Sequence, residues 1–196
     1  GEYVFRNSPS DFEMARYVSR QIVKDKKAKV AVLTENTDFA KGIEENFVKG
    51  LQESGVEIVA TETYNSGDRD FRTQLTKIKA ASPDALFVNS QSWLPATLIT
   101  RQASELRLDV SLYGTNAFGS PEAWEEAGNI LNGVKYVDAP GVSKDNKIAQ
   151  NFLKKYVAEY GSPTSEWLIA TRYDSVRLIV DAIKSCREVN ADCVRD

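Results

Sequence analysis

The chain has 196 residues, a length that suits one large α/β domain, or one domain with a short piece of a second. Hydrophobic residues make up 42%, charged residues 27% and aromatics 10%, which is ordinary globular usage and excludes disordered and fibrous classes. Apolar runs such as Val30-Ala31-Val32-Leu33 fall far short of the roughly 20 residues that a bilayer-spanning helix needs. Lys plus Arg total 25 against 28 Asp plus Glu, a net charge of −3 with the signs interspersed, so a nucleic-acid footprint is excluded.

The absence of His removes the commonest general base and the commonest metal ligand together. Cys186 and Cys193 are too widely spaced for a CxxC redox or zinc pair. No catalytic residue, metal or cofactor is therefore expected. The two cysteines leave two readings, a local disulfide closing the loop from Arg187 to Asp192, or two unconnected thiols of a cytosolic protein. The N-terminus opens Gly1-Glu2 without a signal peptide or lipid-attachment cysteine.

Short β-rich runs alternate with long amphipathic segments, the pattern of βαβ units around a parallel sheet. Tyr3 to Arg6 reads as a first strand, and Ser8-Pro9-Ser10-Asp11 with Glu13 nearby supplies N-cap chemistry for a helix with Phe12, Ala15, Val18 and Ile22 on one face. Lys29 to Thr34 is an apolar run suited to a strand buried on both sides. The next helix carries Phe39, Ile43, Phe47 and Leu51 and stops at Ser54-Gly55. Val56 to Thr61 is a strand, Asn65 to Asp68 a turn, and Asp70 a cap for a helix with Phe71, Leu75 and Ile78. Ala85 to Val88 is the most apolar strand, followed by a helix with Ala96, Ile99, Ala103 and Leu106, and by a strand from Val110 to Tyr113.

Beyond Tyr113 the rhythm changes. Gly114 to Gly119 reads as a loop, Pro121 to Ala127 as a short helix, and Val134 to Val137 as a strand broken by Ala139-Pro140-Gly141. Two helices then follow without a strand between them, one with Ala149, Phe152, Tyr156 and Tyr160, the other with Ile169, Tyr173, Val176, Val180 and Ile183. Their wide apolar stripes need a partner surface.

In an open parallel sheet, ligands bind outside the carboxyl ends of the strands. That rule selects Glu35 to Phe39, Asn89 to Trp93, and Gly114 to Phe118, three segments that mix polar side chains with an aromatic. Phe39, Trp93 and Phe118 supply apolar walls there, and Ser90, Gln91 and Asn116 supply hydrogen bonds. Phe39 also heads the apolar stripe of its helix and serves equally as core, while Asn116 serves equally to stabilise its own turn. Gly67-Asp68-Arg69-Asp70 lacks the further oxygen ligands of a calcium loop, and no GxGxxG, GxxxxGK[ST] or GxSxG motif is present.

The segments Tyr3-Val4-Phe5-Arg6, Lys29 to Leu33 leading into Asp38-Phe39-Ala40-Lys41-Gly42, and Gly67 through Asp70-Phe71 to Ser82-Pro83-Asp84-Ala85 resemble the type I periplasmic binding proteins. The similarity is to their branched-chain amino-acid, or leucine/isoleucine/valine-type, branch, and Ala170 to Val176 resembles that family's helix near the end of its first lobe. The resemblance implies a three-layer αβα flavodoxin-like lobe with a central parallel sheet at residues 1–137, and a hinge crossing with two helices of the other lobe at 138–196. It implies a fragment that lacks the first-lobe sheet, with weak binding and self-association of the isolated chain. A small-molecule ligand and an ABC permease are the implied partners, and the periplasm or another extracytoplasmic space the implied location. The alternatives are a receptor ectodomain and a flavodoxin-like enzyme or redox domain. The family's ligand-stacking Tyr falls on Phe39, a further contact falls near Gln91, and the acid that pairs with a ligand ammonium falls on Asn116, which offers no counter-charge. An extracytoplasmic location supplies the oxidant for a Cys186–Cys193 bridge, which the resemblance therefore favours.

Overall fold

Lys29–Glu35 (β1) is the centre from which the fold is built, exposed at Lys29 and buried at every later position. The computed structural model describes residues 2–139, 142–163, 165–186 and 190–196, and pairs β1 in parallel with Glu57–Tyr64 (β2) on one side and Ala85–Asn89 (β3) on the other. Ser111–Gly114 (β4) and Lys135–Tyr136 (β5) complete a five-stranded parallel sheet of order β2-β1-β3-β4-β5. A parallel sheet must be covered on both faces, and the alternation along β1 shows how. Val30 and Val32 join a cluster with Ala15, Ile22, Ile43 and Phe47, from helices Asp11–Lys24 (α1) and Asp38–Glu53 (α2). Ala31 and Leu33 join the opposite cluster, with Leu75 and Ile78 of Arg72–Ala80 (α3) and Ala96 and Ile99 of Trp93–Glu105 (α4). The three-layer αβα lobe expected from the sequence is therefore present, with Pro121–Ala127 (α5) added to the second face.

Local signals set most of the boundaries. Ser10 accepts the N–H of Glu13 at 3.2 Å and caps α1, and Thr37 does the same for α2 through Ala40. Gly55 ends α2 at φ +75°, where a side chain would be strained. Asp84 accepts two backbone N–H groups, of Ala28 and Lys29, at 3.0 and 2.9 Å, and these hold its carboxyl below the usual range.

Several expectations need correction. Tyr3 to Arg6 is not a strand: a strand needs a ladder partner, and the described residues around it in its own unit form none. Phe12 stands on the outer side of α1 and is 54% exposed. Phe71, not Asp70, occupies the cap position of α3, while Asp70 accepts the N–H of Arg72 from one residue further out. β2 runs three residues beyond Thr61 because it follows β1 in register to Glu35↔Tyr64. β5 shrinks to two residues against β4, and Asn116–Gly119 in the expected loop is a 3-10 turn. The expected break at Pro140-Gly141 lies outside the described residues.

The chain divides into two compact units, Ser10–Asp138, which holds the sheet, and Gly1–Pro9 with Ala139–Asp196. Within the second unit are Lys147–Tyr160 (α6), Glu166–Ser185 (α7) and Ala191–Arg195 (α8). Phe152 of α6 meets Tyr173 of α7 with ring centroids 4.7 Å apart. Cys186 and Cys193 form a disulfide with a Cα–Cα distance of 6.0 Å, inside the range a bridge requires. Asn7 donates to the carbonyl of Thr171 at 3.1 Å, and Tyr3 donates to Asp192 at 2.5 Å, so the N-terminal residues are tied to α7 and α8.

Candidate functional site

The chain leaves β1 toward α2 on one face of the sheet and leaves β3 toward α4 on the other. Loops that diverge in this way open a crevice at the carboxyl ends of two neighbouring strands, the topological switch point of a doubly wound sheet. Phe39 and Trp93 stand in the first turns of these two helices, each half-buried, the first packed on the α1/α2 cluster and the second on the opposite one. Gln91 is exposed just before α4, and Asn116, half-buried, opens the 3-10 turn after β4.

Two of the six candidates lie deeper. Ser90 is 1% exposed, its Oγ 2.6 Å from the hydroxyl of Tyr64 and its carbonyl accepting from Thr115 Oγ1 at 2.7 Å. Phe118 is 0% exposed inside the second core cluster, against Gly114, where any Cβ would overlap its ring. Its carbonyl accepts from the indole N–H of Trp124 at 2.9 Å.

Below these loops runs a buried polar network whose bonding sequence reasoning missed, although it had selected the segments that hold Glu35, Asn89 and Ser90. Glu35, at the end of β1, accepts from Ser66 Oγ at 2.5 Å, from the backbone N–H of Gln91 at 2.8 Å and from Tyr64 at 3.4 Å. Burial pushes the Tyr64 hydroxyl up, with the charge of Glu35 acting in the same sense and the Ser90 hydrogen bond opposing it. Asn89, fully buried at the end of β3, donates to the carbonyl of Ala40 in the first turn of α2 at 2.7 Å. The signal available in the sequence was position: each of these polar residues ends or follows an apolar strand.

The arrangement offers aromatic faces and neutral hydrogen-bonding groups. Among the described residues no cluster of three His, Cys, Asp or Glu is placed to hold a metal. Fold and strand order together define an α/β lobe of the doubly wound kind. The model of the periplasmic binding protein family matches residues 1–196, and the chain belongs to that family, in its type I branched-chain amino-acid group.

A relative from Pseudomonas aeruginosa, named a leucine-, isoleucine-, valine-, threonine- and alanine-binding protein, is 25% identical over 168 residues, 85% of this chain and 44% of that protein. A Leu/Ile/Val-binding protein homolog of Brucella melitensis is 24% identical over 145 residues, 74% of this chain and 39% of its own length. Among solved structures, a leucine binding protein of Thermotoga maritima superposes with a TM-score of 0.86 at 23% identity, covering 99% of this chain and 55% of that one. A solute-binding protein of an R. palustris ABC transporter in complex with benzoate gives 0.81 at 21% identity, covering 98% and 52%. The chain thus spans less than half the length of these curated relatives.

These relatives carry the names of binding proteins, and the R. palustris protein that of a solute-binding protein of an ABC transporter, which speaks against the flavodoxin-like enzyme or redox alternative. Family membership carries an extracytoplasmic location, and no described helix is long and apolar enough to cross a membrane.

Proposed function

We propose that Ser10–Asp138 is one lobe of an extracytoplasmic solute-binding protein of an ABC importer, and that the α6/α7 unit belongs to the other lobe, whose sheet lies elsewhere in the full protein. The ligand is a small polar or amphipathic solute, such as an amino acid, enclosed between the lobes by hinge closure and delivered to the permease. The observation that carries this reading is the divergence of the β1 and β3 loops at the switch point, with Phe39 and Trp93 opening the helices on either side.

In this reading Phe39 and Trp93 are the apolar walls, and Gln91 and Asn116 the directional hydrogen bonders. Ser90 and Phe118 act from below, the first by fixing the loop that carries Gln91, the second by supporting the turn that carries Asn116. Asn116 supplies no counter-charge, which favours ligands that present amide, hydroxyl or carboxylate groups over a ligand held by its ammonium alone. The exposed Val176, Leu178 and Ile179 of α7 support a role for that helix as packing surface for the missing sheet.

Small-angle scattering of the complete protein, with and without a panel of free L-amino acids and aromatic acids, tests the reading. A compaction on adding one class of solute is expected. An unchanged profile with a solute shown by calorimetry to bind would overturn hinge closure.

A further inference from the structure

Glu35 is 4% exposed, and burying a carboxylate is costly unless donors compensate it. Its donors come from two other segments of the chain, Tyr64 at the end of β2 with Ser66 just after it, and the backbone of Gln91 after β3. We infer that Glu35 is a positioning residue of the binding edge, whose carboxylate ties the loops leaving β2 and β3 to the end of β1 and fixes where Gln91 and Trp93 stand. Its part in ligand binding rests on the function proposed above.

The geometry around the β3–α4 loop carries the argument. Ser90 is held through its side chain by Tyr64 and through its carbonyl by Thr115, and the next N–H, of Gln91, is held by Glu35. Two residues later α4 begins at Trp93, behind Ser92, whose side chain makes no capping bond. The start of α4 is therefore located by this buried network in place of a cap. A surface loop without such ties is mobile and must be ordered when ligand binds, whereas a pinned loop meets the ligand already placed. Glutamine at position 35 keeps the shape and one acceptor but loses the charge-assisted bonds, which are about twice as strong as neutral ones.

Amide hydrogen exchange read by NMR on this chain tests the tie without any ligand. Protection of the Gln91 amide, relative to Val32 and Phe87 in the strands, should fall about 10-fold or more in E35A and about 5-fold in E35Q, the isosteric variant rescuing part of the loss. Unchanged Gln91 protection in E35A, with the strands still protected, overturns the proposal. Should E35A not fold, unchanged protection in E35Q does so alone.

In the complete protein, titrations with L-leucine and with benzoate give the second reading. A probe that binds the parent protein should bind E35Q more weakly, and equal affinity in an E35Q protein whose Gln91 protection has fallen overturns the positioning role. Failure of both probes with the parent protein, while the exchange result holds, counts against those ligands and leaves the tie supported.

Discussion

The Tyr113 hydroxyl donates to Asp25 Oδ2 at 2.6 Å, joining β4 to the residue that ends α1. Lys135, at the start of β5, donates to the same oxygen at 2.6 Å. Lys135 first, and then Tyr113, hold the Asp25 carboxyl below the ordinary carboxylate range. A carboxyl lowered on folding contributes stability above its unfolded pKa of about 3.9 and loses it as the pH falls through the lower folded value. Urea unfolding of the parent chain and of D25N between pH 5 and pH 3 checks this. The difference between the two should be largest at pH 5 and shrink toward pH 3, because other lowered carboxyls such as Asp84 are common to both proteins. A constant difference contradicts it.

Asn89 bridges β3 and α2 through the carbonyl of Ala40 from a fully buried position. Asn89→Ala removes the donor and leaves a buried carbonyl without it, at a cost of about 1–3 kcal/mol. Chemical denaturation should show that loss, and a change within error of zero would mean that water replaces the bond.

Gly114 closes β4 where a methyl group would overlap the Phe118 ring and approach the Val88 carbonyl to 3.3 Å. Gly114→Ala should cost about 1–3 kcal/mol by overpacking. Pairing it with Phe118→Leu, which frees space on that side, should show a coupling that offsets part of the summed single losses. Additive losses would place the ring elsewhere.

The Cys186–Cys193 bridge closes a loop shorter than the 15 residues for which chain entropy gives about 3 kcal/mol, so its contribution is local. Non-reducing mass spectrometry should find no free thiol in the native protein. After reduction, the exchange protection of the sheet in Ser10–Asp138 should stay as it was, while α8 loses protection. Loss of the sheet on reduction contradicts a local role.

The strands and helices of Ser10–Asp138 were readable because burial on both faces demands apolar runs, as in Val30 to Leu33 and Ala85 to Val88. The edge strand β2 was cut short because Glu62 and Thr63 put two polar residues in a row before Tyr64, and only its register with β1 shows that it continues to Tyr64. Tyr3 to Arg6 has strand-like residues but no strand to pair with among the described residues of its own unit, and composition carries no information about partners. At the candidate site the sequence marked the loops by strand order, including Trp93 and Gln91. Glu35 was marked only as the start of a loop, because an acid that ends an apolar strand reads that way, and its burial depends on Ser66 and Gln91, 31 and 56 positions away. Phe118 reads as a loop aromatic until the absence of a side chain at Gly114 lets its ring sink into the core.

The central claim is that the crevice between the β1 and β3 loops takes a solute against Trp93. Isothermal titration of the complete protein with a panel of L-amino acids and benzoate, repeated with W93A, tests it most directly. The account predicts one-to-one binding of one solute class by the parent protein, weakened about 10-fold or more in W93A while the unfolding midpoint stays near that of the parent. Equal affinity in a folded W93A protein, or binding by neither protein of any solute in the panel, would contradict it.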